Sequence, residues 1–419
     1  MNALPIDTAP KTTITSQKTL FSIGCLLIIF VPISTAISNY LIAIYLIIYA
    51  LTIHNNRKAI IESFKHPVAY CIFAIIIYSA LSSLLTPNTM IEKAVSLKYS
   101  ARLLLIPLLS IAFVTNKQKN AVLNLFISSV IASLIVVYLK MSSMIPSDMF
   151  SPGITQGFKD SIFSSLLAAL AMFFCLIKQD TSKNSPHKRL IYIVTSMLLF
   201  HYLYFISIGR TGQIIGIILL IYSLYYTFNK TKLLFLAIST SIVLSLFFVN
   251  NLFKDRLIIA ADEIVNFHND NSNSSNKEIL ARSTSSSGLR LEWARHSFQL
   301  FLEKPILGWG LGNFSNVYQK QFPKRQTVYG STVSNPHNQY LYIAVETGIV
   351  GLILHLILLI NIMKWCSILD YNNRLILKGF LIAIVIGCLA NSWLKDSTSS
   401  MLIVSIVAIF STKKQHFQQ

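Results

Sequence analysis

The chain has 419 residues, 53% of them hydrophobic and only 12% charged, at a mean hydropathy of +0.59. A soluble domain carries about 25% charged residues, which excludes a soluble enzyme, a disordered tail and a small disulfide scaffold. The net charge of +19 would suggest nucleic acid in a soluble protein. Here the cations lie between apolar runs, so membrane orientation and anionic lipid explain them, and no nucleic acid partner is expected.

The apolar runs are continuous, unlike the alternating strands of about 10 residues in an outer-membrane barrel. The expected fold is therefore an all-α polytopic membrane protein. A spanning helix needs about 20 residues, and about twelve such runs can be drawn. They lie near 20–37, 39–53, 68–85, 101–114, 121–139, 162–177, 190–207, 214–228, 233–250, 340–363, 379–394 and 399–412, with a tight break around Ser38–Asn39. Lys11 and Lys18 precede a long first run followed almost at once by a second, which reads as an uncleaved first span. Three parts result: an N-terminal membrane domain over 1–250, an outer loop with interfacial helices over 251–339, and a C-terminal membrane segment over 340–419. The first holds about nine spans and the last about three. Cys25, Cys71, Cys175, Cys366 and Cys388 show no paired spacing and read as small core hydrophobes, without a disulfide framework or a metal knuckle.

Sidedness follows from the basic residues. With the N-terminus inside, the cytoplasmic segments collect 18 lysines and arginines, the short outer loops 7, and the long loop, exempt from the rule, 10. Both termini are expected inside and the long loop outside. The arginines alone run the other way. Only Arg57, Arg189 and Arg374 are cytoplasmic, against Arg102, Arg210, Arg256, Arg282, Arg290, Arg295 and Arg325 on the outer side. Topology signalling does not distinguish Arg from Lys. Two explanations remain open: bidentate recognition of phosphate or carboxylate, or loop-surface charge paired with Asp255, Asp262, Glu263, Glu278, Glu292 and Glu303.

The loop opens on a polar, low-complexity stretch through 269–276 and 283–287. From Gly288 the pattern Leu289, Trp293, Phe298 and Phe301 predicts a helix ended by Pro305, with Arg290 one turn before Trp293 and Arg295 on another face. Gly308, Gly310 and Gly312 in Pro-Ile-Leu-Gly-Trp-Gly-Leu-Gly-Asn-Phe permit a tight turn with close backbone approach. No Gly-Lys-Ser/Thr follows, so this is not a Walker loop. In Asn335-Pro-His-Asn-Gln-Tyr-Leu341, Pro336 is expected to begin the tenth span and hold His337 at the membrane's outer edge. His337 suits proton transfer near neutral pH or serves structure alone. Arg210, in the turn Ile208-Gly-Arg-Thr-Gly-Gln213, is expensive so close to hydrocarbon unless it is paired, serves an anion or snorkels to headgroups. Glu346, inside the tenth span, has a functional role or a buried partner. It lies nine residues from His337, about half a turn out of phase on an ideal helix, so spacing assigns His337 no orienting carboxylate.

Together, the Gly-Arg-Thr turn, Gly-Leu-Arg-Leu-Glu-Trp, the glycine-rich turn and Pro-His-Asn-Gln-Tyr-Leu before Val-Glu-Thr-Gly-Ile-Val-Gly-Leu resemble the O-antigen ligase and polymerase superfamily of Gram-negative inner membranes. The motifs fall within 209–352, and the compact length looks more like the ligase. The resemblance implies a GT-C-like membrane glycosyltransferase working in the periplasm without nucleotide sugar, cofactor or essential metal. Its donor would be O-antigen on undecaprenyl pyrophosphate, and its acceptor an outer-core hydroxyl of lipid A–core. Membrane lipids would surround it, and an O-antigen polymerase is a further expected contact. By motif, Arg210 and Arg290 would bind pyrophosphate and His337 would be the base. Arg102 and Arg282 are further candidates, not assigned by motif, for contact with phosphate on the donor or on lipid A–core. The enzymatic alternatives are an O-antigen polymerase and a protein O-oligosaccharyltransferase. A lipid-linked glycan flippase or other transporter is the non-enzymatic one, although no internal repeat is evident and the unusual polar residues cluster on the outer side.

Overall fold

The structure, a computed structural model, describes residues 11–54, 57–181, 185–227, 286–323 and 333–411, with scattered positions between 237 and 262. Arg256, Arg282, Arg325, the 269–276 stretch and most of the span expected at 233–250 lie outside the described residues. Among the described residues the chain is helical, with no strand. Among the described residues four helices are long and apolar enough to cross a membrane: Asn116–Met141, Ser161–Gln179, Pro186–Ile206 and Gln339–Cys366. Shorter apolar helices stand at Ser16–Phe30, Thr35–Leu51, Pro67–Ser83 and Ser397–Phe410. At 1.5 Å per residue, 14 to 17 residues reach about 21–26 Å, short of a hydrocarbon core of about 30 Å.

In chain order the helices are α1 (Lys11–Phe30), α2 (Thr35–Leu51), α3 (Arg57–Phe64), α4 (Pro67–Ser83), α5 (Met90–Ala101) and α6 (Leu105–Ser110). A 3₁₀ turn, Arg102–Leu104, joins α5 to α6. There follow α7 (Asn116–Met141), α8 (Ser161–Thr181), α9 (Pro186–His201) with a π turn at Tyr202–Ile206, and α10 (Arg210–Thr227). The last five are α11 (Ser286–Glu303), α12 (Phe314–Gln321), α13 (Gln339–Cys366), α14 (Tyr371–Gly387) and α15 (Ser397–Phe410).

Local chemistry fixes several ends. Thr89 with Glu92, and Thr115 with Gln118, form capping boxes at the starts of α5 and α7. The expected break at Ser38–Asn39 lies instead at Val31–Ser34, because Ser34 caps α2 and accepts from the Ile37 N–H at 3.4 Å. The expected span at 101–114 is redrawn as a helical run from Met90 to Ser110, tightened to 3₁₀ at Arg102–Leu104. Pro107 falls in its last turn, where the missing N–H removes a bond to the carbonyl four residues earlier.

α8 is apolar on every side, and Leu166 through Cys175 are all at 1% exposure or less. Such a helix belongs at the centre, and α7, α9, α10 and α14 surround it. By contrast, Tyr40 and Leu51 of α2, Ile77 and Leu81 of α4 and Met197 of α9 face outward, as lipid-facing side chains would. The C-terminal helices pack into the N-terminal bundle, α13 on α4, α14 on α8 and α10, and α15 on α6. Helices α11 and α12 sit on the start of α13 through a separate apolar cluster of Leu300, Phe314, Val317, Tyr318, Tyr342 and Val345. Five thiols are free, and Cys175, Cys366 and Cys388 are buried.

Candidate active site

Arg210 opens α10, after a three-residue break, Ser207–Gly209, that follows the π turn. Two glycines set its place. A Cβ on Gly209 would come within 2.4 Å of the Ser161 carbonyl oxygen, and one on Gly212 within 2.4 Å of the Ser165 carbonyl carbon. Only glycine lets this turn press onto α8. Fully buried Gln213 braces it by donating Nε2 to the Leu203 and Ser207 carbonyls at 3.1 and 2.9 Å. The Tyr204 hydroxyl donates to the Gln213 carbonyl at 3.0 Å.

Helix α11 begins at Ser286, two residues before the sequence pattern places it, and ends at Glu303, before Pro305. Ser287, Arg290 and Trp293 recur every three residues and so share one face. Arg210 Nη1 donates to Ser287 Oγ at 2.7 Å. One turn on, Arg290 faces the Arg210 charge, and burial followed by that like charge lowers the Arg290 guanidinium below its ordinary range. One further turn on, the Trp293 ring stacks on the His337 imidazole, with centroids 5.0 Å apart and planes 22° apart. Arg210, Arg290 and His337 thus lie along one helix face although 127 positions separate the outer two in sequence.

His337 occupies the left-handed region at φ 50°, an uncommon state for a non-glycine residue. Its N–H donates to Asn335 Oδ1 at 2.9 Å. This corrects the expectation that Pro336 begins the helix. The cap is Asn338, whose Oδ1 accepts from the Tyr340 and Leu341 N–H groups at 3.0 Å, and α13 starts at Gln339. A left-handed His337 cannot continue into a right-handed helix. Burial, then Arg290, then Lys395 push its imidazole down to about 4. The ring is therefore neutral at pH 7 and able to accept a proton.

The glycine-rich turn and Glu346 form a different structure beside this face. α13 breaks at Gly348, whose φ is 66°. The carbonyls freed by the break accept from the turn: Val345 from the Trp309 N–H and Glu346 from the Gly310 N–H, both at 2.8 Å. In return the Ile349 N–H donates to the Pro305 carbonyl at 2.8 Å. A Cβ on Gly308 would lie 2.6 Å from the Gly348 nitrogen, and one on Gly348 2.1 Å from the Ile306 carbonyl oxygen. Trp309 Nε1 ties the turn to α11 through the Leu300 carbonyl at 2.8 Å. The Glu346 carboxylate is buried, accepts from the Phe314 N–H at 3.4 Å, and is faced by Tyr342 and Lys395. The carboxylate thus has partners within the fold.

Arg102 serves another place. It is buried, and its Nη1 and Nη2 donate to Ser400 and Ser397 hydroxyls at 2.7 and 2.9 Å. Asp396 supplies a nearby negative charge and Tyr99 a ring face at 5.6 Å. Arg282 is outside the described residues. Lys395 escaped the sequence reading, which counted it only as an outer-loop cation. It lies over the Tyr342 ring at 4.5 Å and donates to the Ser334 carbonyl, and burial lowers its ammonium while Glu346 opposes the shift. No spacing links it to His337. The stacking of Trp293 was equally hidden, although its helical phase with Arg290 was legible. Among the described residues no group of three metal-ligating His, Cys, Asp or Glu side chains occurs.

Residues 194–356 match the family model described as O-antigen ligase. That stretch holds Arg210, Arg290, His337 and both halves of the Gly308–Gly348 clamp; Arg102 and Lys395 lie outside it. No curated protein matches the chain.

Proposed function

We propose that this chain, a membrane protein with an O-antigen ligase domain, transfers O-antigen glycan from undecaprenyl pyrophosphate to an outer-core hydroxyl of lipid A–core. The observation that carries the proposal is the row on α11: two arginines from distant segments facing each other, then a neutral imidazole stacked on Trp293. Two cations held together are costly by themselves. They suit a ligand that brings two negative charges close together, as a pyrophosphate does.

The chemistry follows from the donor. The acceptor oxygen forms a bond to the anomeric carbon, and the bond from that carbon to the pyrophosphate oxygen breaks. The electron pair leaves with the phosphate, and the acceptor's proton passes to the His337 imidazole. Negative charge grows on the leaving oxygen, so Arg210 and Arg290 stabilise the transition state more than the ground state. An inverting displacement needs its base on the opposite face of the sugar from the leaving group, and a positioned base contributes about 10²–10⁴ in rate. Guanidiniums supply the charge neutralisation, so the proposed reaction is metal-independent.

The setting is the Gram-negative inner membrane, with about twelve spans in a GT-C-like arrangement, both termini cytoplasmic and His337 periplasmic. The excess of basic residues in the cytoplasmic segments supports that orientation. Both substrates are lipid-anchored, and a site at the outer leaflet lets them meet. Arg282 remains proposed as a further phosphate contact and the O-antigen polymerase as a partner, whereas Arg102 is taken up by the Ser397 and Ser400 hydroxyls.

The test is a lipopolysaccharide gel from a ligase-null strain of matched donor and core type. It carries wild type, His337→Ala or Arg210→Ala, with membrane levels checked. A ladder from wild type and bare core from both variants is expected. Bare core from wild type present in the membrane rejects ligation. A ladder from either variant removes that residue from the mechanism. A wild type that lengthens carrier-linked glycan without capping core is a polymerase.

A further inference from the structure

The segment before α13 is held from one side by the linker between α14 and α15. The Gln339 N–H donates to the Cys388 carbonyl at 2.8 Å, and Asn338 Nδ2 to the Leu389 carbonyl at 3.0 Å. The Leu394 N–H donates to Gln339 Oε1 at 2.8 Å. These ties all fall after His337. Lys395 is the linker residue whose hydrogen bond falls before it, on the Ser334 carbonyl. His337 is therefore bracketed, with Ser334 fixed on one side and Asn338–Gln339 on the other.

Lys395 is itself fixed. Its ammonium sits over the Tyr342 ring at 4.5 Å and faces the buried Glu346 carboxylate. A cavity of about 50 Å³ opens at this point, with Arg102, Gln339, Tyr342, Glu346 and Lys395 in its wall. A volume of that size has room for a few waters. Glu346 also carries the clamp between α13 and the glycine-rich turn, its own carbonyl accepting from the Gly310 N–H. The clamp, Lys395 and the His337 turn form one connected assembly.

We infer that Lys395 is a positioning residue: seated over the Tyr342 ring, it holds the Ser334 carbonyl and thereby keeps the His337 ring in its left-handed turn against Trp293. A residue in a sparsely populated backbone region persists only where its surroundings over-determine it, and Lys395 supplies the tie on the N-terminal side. This inference rests on His337 as the proposed base. It adds a residue outside the matched O-antigen ligase stretch, from a segment 58 positions away.

The experiment measures transfer by purified full-length protein, using undecaprenyl-pyrophosphate-linked glycan and lipid A–core. Lys395→Met removes tether and charge, Lys395→Gln keeps a hydrogen-bond donor without charge, and Lys395→Arg keeps both. His337→Ala runs alongside. The Met variant is expected to lose about 10² in kcat, the scale of a small misplacement, with the KM for donor little changed and the Arg variant recovering most of the loss. The cations facing His337 are Arg290 from α11 and Lys395 from the linker. Removing Lys395 therefore moves the acid limb of kcat/KM to higher pH in the Met and Gln variants, and a purely structural role leaves that limb in place. Wild-type kcat in the Met variant overturns the inference, as does a loss that Arg fails to restore. Should the Met variant not accumulate, an unmoved acid limb in the Gln variant overturns it instead. An active His337→Ala protein rejects the base assignment itself, whatever Lys395 does.

Discussion

Arg102 is buried and Arg290 partly buried, yet their surroundings differ in kind. The Arg102 guanidinium donates to two serine hydroxyls at the start of α15 and has Asp396 nearby. Its geometry is fixed within the fold by those hydroxyls. Arg290 has the Arg210 cation and the neutral His337 imidazole as its neighbours, and among the described residues no carboxylate pairs with it. An arginine of the first kind holds helices together. One of the second kind raises the free energy of the empty protein, a cost that the proposed anion would relieve. The excess of outer arginines is thus a mixture, and only the environment separates the two kinds.

The largest effect belongs to the Arg290 face. His337→Ala is expected to lower transfer by about 10²–10⁴, and Arg290→Ala by about 10²–10³, with thermal unfolding and membrane level close to wild type. Arg290→Lys tests the same point more finely, since a lysine keeps the charge but loses the planar fork. It is expected to fall between wild type and the alanine variant. If both Arg290 variants unfold readily instead, Arg290 belongs with Arg102 and the contrast fails.

Next in size comes the clamp, which separates stability from chemistry. Gly348→Ala places a Cβ 2.1 Å from the Ile306 carbonyl oxygen at a residue with φ 66°. The strained backbone alone costs about 1–3 kcal/mol. Loss of protein from the membrane, or a clear drop in unfolding temperature, is the expected reading. Full stability with lost transfer would mean that the break in α13 acts in catalysis more directly than through packing.

Arg102→Met is expected to cost less, about 1.5–3 kcal/mol for hydrogen bonds from a charged group, and to show in unfolding temperature. Whatever protein remains should transfer glycan at a rate near wild type. A normal melting curve with a raised KM for donor or acceptor would move Arg102 into the substrate site, where sequence reasoning placed it.

The parts of this site legible in sequence are those carried by short-range pattern. The phase of Arg290 and Trp293 on one helix follows from three-residue spacing. Gly308 announced a close backbone approach, although the contact proved to be the break at Gly348, since one glycine in an apolar run carries no such mark. Lys395 was illegible because its partners lie 49 and 61 positions away, at Glu346 and Ser334. Glu346 was out of phase with His337 on an ideal helix, and the structure relates them through Lys395, which faces both. Short apolar runs were the weak point of the fold reading. At 101–114 the run continues a helix that starts at Met90.

The smallest expected effect leaves the rate at neutral pH unchanged and tests the Arg290 face most directly. In the free protein His337 is held down to about 4, by burial first and then by the Arg290 and Lys395 cations. Transfer requires the neutral ring, so kcat/KM should stay flat across neutral pH and fall only as pH drops through about 4. That limb reports the free enzyme, whereas the limb of kcat reports the enzyme with donor bound. A pyrophosphate lodged between Arg210 and Arg290 offsets the positive field on His337, so the imidazole binds its proton more tightly. The acid limb of kcat should then lie at higher pH than that of kcat/KM. The anion would raise the basicity of its own base, at the moment a base is needed. Coincident limbs would mean that the bound pyrophosphate lies too far from His337 to be felt, and would break the link between the arginine pair and the imidazole on which the Arg290 side of the comparison depends.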